Sequence, residues 1–377
     1  MGLLIVLRAF TPLQGETGDE SFEQRAVRGI ERVYNLEFAE ADSTFRLLVA
    51  ERPDDPAGHF FLAMVDWWRI MVDRDNTAYD DRFLSALDHV IDLCDQRLDE
   101  NEEDVAALFF KGGALGFTGR LRFYRDDWFG AASAGRKALP LVQTAFAADT
   151  SNFDIYLGTG IYNYYAAVIP EIYPVAKPLL LFIPPGDKQE GIRQLRIAAE
   201  RGRYASIEAT YFLMQLNYLY EKNYPEALSL AQSLHERFPN NMLFHRYLGR
   251  CYISMANYPS AREVFSDILD RSLEEQVGYD IKIRREAEYY LGLCALQTRS
   301  YPTAIEHFIS SDKISRELDT DGPSAFMVLA NLNLGKVYDA QSRRDLAIIQ
   351  YRKVLDMTDY MNAHSQAEEY LKTPFVH

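Results

Sequence analysis

The sequence is short of the residues that staple, interrupt or activate a chain. Three cysteines in 377 residues, Cys94, Cys251 and Cys294, stand far apart with no C-x-x-C pair, which argues against a disulfide framework and against a zinc site. Cys251 and Cys294 lie among apolar residues in helical patterns and read as small hydrophobes. Glycine (21) and proline (15) are sparse, and no Pro-, Ser- or Gln/Asn-rich tract marks a linker. No uncharged apolar run approaches the ~18 residues of a membrane-spanning helix. The seven histidines show neither H-x-x-x-H nor H-E-x-x-H spacing, and G-x-S-x-G is absent. His235 and His245 flank a Phe-Pro-Asn-Asn turn and read as structural or solvated. The Gly-rich stretch from Lys111 to Arg120 lacks the Gly-Lys-Ser/Thr ending of a phosphate loop. Gly158-Thr159-Gly160 lacks the third glycine of a dinucleotide site. Both read as close helix crossings. With no convergent catalytic set, the chain reads as a non-enzyme without cofactor or metal.

What is present is apolar and acidic. Hydrophobic residues make up 48% of the chain and charged ones 25%, enough to bury a continuous core. The net charge of −15 is concentrated: residues 1–104 carry 24 Asp and Glu against 10 Lys and Arg, while the rest is nearly balanced. Phosphate recognition needs a clustered cationic face, so nucleic-acid binding is disfavoured. The acidic third is either a solvated surface or a seat for a basic partner.

Leu3-Leu4-Ile5-Val6-Leu7 is apolar, but Arg8 interrupts it and no basic residue precedes it. A secretory signal has a basic start and a longer apolar run. Residues 1–21 read as a leader or unstructured N-terminus. The protein is exported or periplasmic if this is the remnant of a signal, and cytoplasmic otherwise.

Self-similarity sets the architecture. Asn223-Tyr224-Pro225-Glu226-Ala227 recurs 34 residues later as Asn257-Tyr258-Pro259-Ser260-Ala261. Ser300-Tyr301-Pro302-Thr303-Ala304 follows 43 residues on, and Arg343-Arg344-Asp345-Leu346-Ala347 a further 43 on. Gly29–Ala41, Gly249–Ala261, Gly292–Ala304 and Gly335–Ala347 are each 12 apart, with Phe45, Phe265, Phe308 or Tyr351 four residues past the Ala. Two antiparallel helices joined by a short turn approach closely when small residues face each other. The spacing thus predicts Gly against Ala, with the aromatic filling the gap to the next pair. Tyr-Pro or Arg-Asp opens the second helix, since Pro is tolerated in a first turn. One such pair cannot bury its apolar faces alone, so neighbours stack.

These residues resemble the tetratricopeptide-repeat family over 206–357 and 22–55, with Pro53 where that family often ends its second helix. The resemblance implies an all-α helix–turn–helix solenoid, a right-handed superhelix of about eight helix pairs plus a capping helix from Ala363 to Leu371. Longer, divergent pairs are expected near 57–98, 104–148 and 152–202. Residues 22–205 therefore read as divergent repeats and 206–377 as regular ones. The middle third, with Tyr156-Leu157-Gly158-Thr159-Gly160-Ile161-Tyr162-Asn163 and Gly191-Ile192-Arg193-Gln194-Leu195-Arg196, resembles the fungal inclusion-body-clearance family of tetratricopeptide proteins. That resemblance implies adaptor roles linked to lipid droplets and membranes, not catalysis.

In a tetratricopeptide superhelix the first helix of each pair lines a concave groove. By that resemblance the lining residues are Phe212, Leu216, Arg246, Arg250, Tyr289, Leu293, Leu332 and Lys336. Aromatic plus cationic, they suit a protein or extended peptide that is acidic and apolar. Arg246 and Arg250 match in type the last two positions of the clamp that some relatives use on chaperone tails, but its Asn positions hold other residues. A second surface is Arg120, Arg122 and Arg125 with Trp128, placed either to pair external carboxylates or phosphates or to tie the acidic stretch 99–104. Finally, the Pro-rich insertion 166–186 is mostly apolar and must be covered, by neighbouring helices or by a partner or bilayer. Leu181 and Phe182 are its most outward-reaching residues, and a lipid-associated adaptor using this segment is the alternative to a protein scaffold.

Overall fold

The computed structural model describes residues 20–172 and 184–376. Among them are seventeen α-helices and no strand. They run as antiparallel pairs: α1 (Phe22–Tyr34) with α2 (Phe38–Glu51), α3 (Pro56–Val72) with α4 (Asp80–Glu100), α5 (Val105–Tyr124) with α6 (Trp128–Ala148), and α7 (Ile155–Ile172) with α8 (Lys188–Arg201). The regular half follows with α9 (Ser206–Leu219) and α10 (Tyr224–Arg237), α11 (Met242–Ser254) and α12 (Tyr258–Leu273), α13 (Ile281–Gln297) and α14 (Tyr301–Leu318), α15 (Ala325–Ala340) and α16 (Arg344–Leu355). The cap is α17 (Ala363–Lys372). The fold is an all-α helical-repeat solenoid.

Local sequence explains where helices begin. Ser21 accepts from Gln24 N–H while the Gln24 side chain accepts from Ser21 N–H, a reciprocal cap. Asp55, Asp104, Asp127, Asn241, Asp280 and Ser324 cap α3, α5, α6, α11, α13 and α15 in the same donor-satisfying role. Pro56, Pro225, Pro259 and Pro302 occupy first turns. The turn inside six of the pairs passes through a left-handed residue that is not glycine: Leu36, Asp126, Lys222, Ala256, Arg299 and Ser342, all with φ between 54° and 61°.

The Gly–Ala spacing holds, with a different partner for the glycine. A methyl group added at Gly249 would lie 2.7 Å from the Phe265 ring, and one at Gly292 2.7 Å from Phe308. Gly29 and Gly335 sit against Phe45 and Tyr351 in the same way. The aromatic four residues past the Ala therefore packs on the glycine of its own pair. It then meets the next pair from the other side: Phe45 lies 5.7 Å from Phe61, and Phe265 stacks on Tyr290 at 4.6 Å. The Gly-rich spots are crossings as expected. Gly160 and Gly191 are in backbone contact between α7 and α8, and Gly112 and Gly158 both face Val142 of α6. α7 continues through Pro170 to Ile172, so the first seven residues of the 166–186 insertion are helix, and Pro170 removes only one donor near the end. Leu181, Phe182 and residues 1–19 of the N-terminal leader lie outside the described residues, while Ser21, its last residue, caps α1.

First helices form an inner layer: α3 buries twelve residues against five in α4, and α15 eleven against three in α16. The turns of the solenoid also touch each other. One core cluster joins residues of α1–α5 to residues of α9–α13. Trp68 of α3 meets Tyr211 and Phe244, and Tyr34 of α1 meets Phe238 and Phe244. A second cluster unites α13 to α17.

Candidate functional site

The superhelix closes on its own inner face, and that closure decides which predicted groove residues are available. Glu208 on α9 is buried and receives Tyr34 Oη at 2.5 Å and Arg120 Nη1 at 2.6 Å. Burial, then the Glu208 charge, raise the Tyr34 pKa well above the usual phenol value, so it stays a donor. The Arg120 guanidinium lies 4.7 Å from the ring centroids of both Trp67 and Phe212. Asn241 Nδ2 donates to Tyr34 O, Arg237 to Glu31, and Lys282 to Asp73 and Asp75. Pairs 1 to 3 are thus tied to pairs 5 to 7 by polar contacts and by the shared core.

The groove assignments change accordingly. Phe212, Leu216, Tyr289 and Leu332 are buried in core clusters, because the first helices are enclosed by their neighbours on nearly every side. Leu293 is half-buried against the C-terminal cluster. Lys336 lies beneath the rings of Tyr370 and Phe375, at 5.4 and 5.9 Å, with Gln366 Oε1 at 3.3 Å. Among the described residues no carboxylate pairs with it, and burial lowers its pKa. The cap helix and the segment after it therefore cover a position assigned to the groove.

Arg246 and Arg250 come together with a residue that the sequence pattern did not single out. Glu286 on α13, only 1% exposed, accepts from both: Arg246 at 3.1 and 2.5 Å, and Arg250 at 2.6 and 2.6 Å. Burial alone raises a carboxyl pKa, but the two guanidiniums outweigh it and hold Glu286 at about 2. Around them stand half-buried Tyr218 of α9 and Tyr290 of α13, and Tyr247 at 5.4 Å from Tyr218. Gln215 donates to the Tyr211 and Tyr247 hydroxyls at 2.9 and 3.4 Å. No local signal marked Glu286, because it lies in the charged stretch Lys282-Ile283-Arg284-Arg285-Glu286-Ala287-Glu288, where a solvated acid looks the same.

The arginine-rich second surface is also committed internally, though not to the acidic stretch 99–104. Arg120 holds Glu208, Arg122 holds Asp127 at 2.7 Å, and Arg125 grips Asp80 at 2.5 and 2.9 Å. Asp104 is taken by Arg97 instead. Trp128 remains exposed, edge-on to Phe123 at 4.9 Å.

Other reactive groups are structural. Burial pushes the Cys94, Cys251 and Cys294 thiols up to about 12, which leaves them protonated and inert. His235 and His245 stack at 4.2 Å, and His245 Nδ1 lies 3.1 Å from Tyr279 Oη. No group of three or more His, Cys, Asp or Glu arranged to hold a metal occurs among the described residues. No described helix is long and apolar enough to cross a membrane.

No curated protein matches this chain. Among solved structures, yeast Tom70 is 12% identical with a TM-score of 0.38, covering 94% of this chain and 88% of that one. Human IFIT1 bound to PPP-AAAA is 15% identical with a TM-score of 0.41 (85% and 69% covered), and the apo form of RapI 14% identical with 0.35 (93% and 81%). Residues 218–277, which span the end of α9 through α12, match the tetratricopeptide-repeat family. The same glycine–aromatic unit flanks that stretch in pairs 1, 7 and 8, so the solenoid is built on tetratricopeptide-type repeats.

Proposed function

We propose that the chain is a non-catalytic scaffold that receives a protein partner on the inner wall formed by α9, α11 and α13. The observation that carries this reading is the Glu286 site. Two guanidiniums share one buried carboxylate, so the wall keeps a net positive charge beside the half-buried Tyr218 and Tyr290 rings. An arginine has five N–H donors, and Glu286 occupies two from each. The remaining donors and the tyrosine faces suit an extended segment carrying carboxylates and apolar side chains. The buried, protonated thiols support the non-enzymatic reading.

Reversing the arginine charges would disrupt Glu286, so the wall is better probed beside it. A photo-crosslinking residue at Tyr218 should attach to a partner recovered by affinity capture. The same residue at Ser229, exposed on the outer face of α10, should not. Attachment from position 229 with none from 218 would place the partner elsewhere and defeat the reading.

A further inference from the structure

The outer face of α6 carries positive charge and no acid. Its 21 residues contain no acid, in a chain of net charge −15, and its buried residues are three alanines. The exposed stripe runs Phe129, Arg136, Pro140, Gln143 and Ala147, with Lys137 beside it, and Phe129 is 77% exposed. Neither Arg136 nor Lys137 has an ion-pair partner among the described residues. On the other side of α5, which packs against both helices, α4 presents the opposite chemistry. Asp81, Asp88, Asp92 and Asp99 are exposed at helical spacing and likewise unpaired among the described residues, so the stripe repels itself.

From this juxtaposition we infer that the α4–α6 face docks against a second copy of the chain. A two-fold axis between α4 and α6, along their shared direction, sets α6 of each copy parallel on α4 of the other. Arg136 and Lys137, near the middle of α6, then meet Asp88 and Asp92, near the middle of α4, and the contact occurs twice. The size is sufficient. Two helices of 21 residues are each ~30 Å long and ~10 Å across, a face of roughly 600 Å² per copy and ~1,200 Å² in all, at the lower edge of specific interfaces. A bilayer is a poorer occupant because anionic headgroups would face the α4 aspartates, and an unrelated acidic protein would satisfy α6 but leave α4 unpaired.

The test is a charge exchange read by light scattering and sedimentation. The wild-type chain should dimerise at micromolar concentrations. R136E/K137E should be monomeric, and so should D88K/D92K, each weakening association by at least ~10-fold. An equimolar mixture of the two variants should restore dimers, because each acidic α6 then meets a basic α4. All four positions are exposed, and an unchanged circular dichroism spectrum checks that the variants fold. A wild-type chain that stays monomeric to about 100 µM overturns the inference. So does a dimer indifferent to both variants, or a mixture that does not recover association; a face kept for another protein would give the first of these outcomes.

Discussion

Replacing Gly249 by alanine should destabilise the protein, whereas the same change at Gly116 should stabilise it. Both glycines lie inside helices, α11 and α5, where alanine is favoured by about 1 kcal/mol. At Gly116 no atom lies within 4 Å of the added carbon, so that gain is realised. At Gly249 the carbon would lie 2.7 and 2.8 Å from two Phe265 ring atoms and 3.1 Å from Val264. The ring has nowhere to retreat: Phe265 is fully buried and stacked at 4.6 Å on Tyr290. Overpacking of that kind costs about 1–3 kcal/mol, which cancels or exceeds the helical gain. Since the helical gain is common to both variants, their difference isolates the packing cost at about 1–3 kcal/mol. Urea unfolding followed by circular dichroism measures it. Equal shifts of the two midpoints in one direction would refute the placing of a ring on each repeat glycine.

Glu286→Gln should cost about 3–5 kcal/mol, because it leaves two half-buried guanidiniums facing a neutral amide; a loss under ~1 kcal/mol in urea unfolding would show the triad to be solvated. His245, whose pKa burial, the neighbouring His235 and Arg271 lower to about 2, makes stability depend on pH. The unfolded chain takes up that proton near pH 6.5 and the folded chain does not, so stability is full above 6.5 and falls by about 1.4 kcal/mol per unit below it. His245→Gln should flatten the wild-type difference between pH 7.5 and pH 5.5 unfolding midpoints by roughly 1.4 kcal/mol; parallel curves would mean that the ring is not buried neutral. Ala256→Gly should raise stability by up to about 1 kcal/mol, since Ala256 holds φ 55° in the turn before α12, and a loss there would show that its methyl packs usefully.

Much of the fold was legible because the repeat writes small residues where backbones approach. Gly29, Gly249, Gly292 and Gly335 mark four first helices, and the chain spacing to Ala and then to the aromatic fixes the second. Two features escaped that logic. The left-handed turn residues are Leu, Asp, Lys, Ala, Arg and Ser, types that announce no positive φ, so the turn was visible only through the Tyr-Pro or Arg-Asp after it. The groove was misplaced for a related reason. Periodicity says which side of a first helix is apolar, but Phe212 and Leu216 are covered by α7, α8 and α10, and Tyr289 by α14 and α15. Nothing local separates an aromatic that awaits a ligand from one already covered. The arginines failed differently: Arg246, Arg250 and Arg120 do point inward, and their partners Glu286 and Glu208 lie 36 or more residues distant.

That long-range pairing changes how the solenoid holds together. In an open repeat array each unit leans only on its neighbours, and stability is nearly a sum of local terms. Here the first core cluster bridges pairs 1 to 3 and pairs 5 to 7, and Glu208 ties α9 to both α1 and α5. Loss of either side exposes the other's Trp68, Tyr211 and Phe244, so these pairs must form or fail together. α15 to α17 stand apart, in a cluster shared with α14 that α13 joins to the first. The inner wall of α9, α11 and α13 is built on the cooperative part and reaches the junction through α13. The proposed recognition of an extended segment requires a rigid wall, and the Glu286 anchor is fixed from α11 and α13 at once.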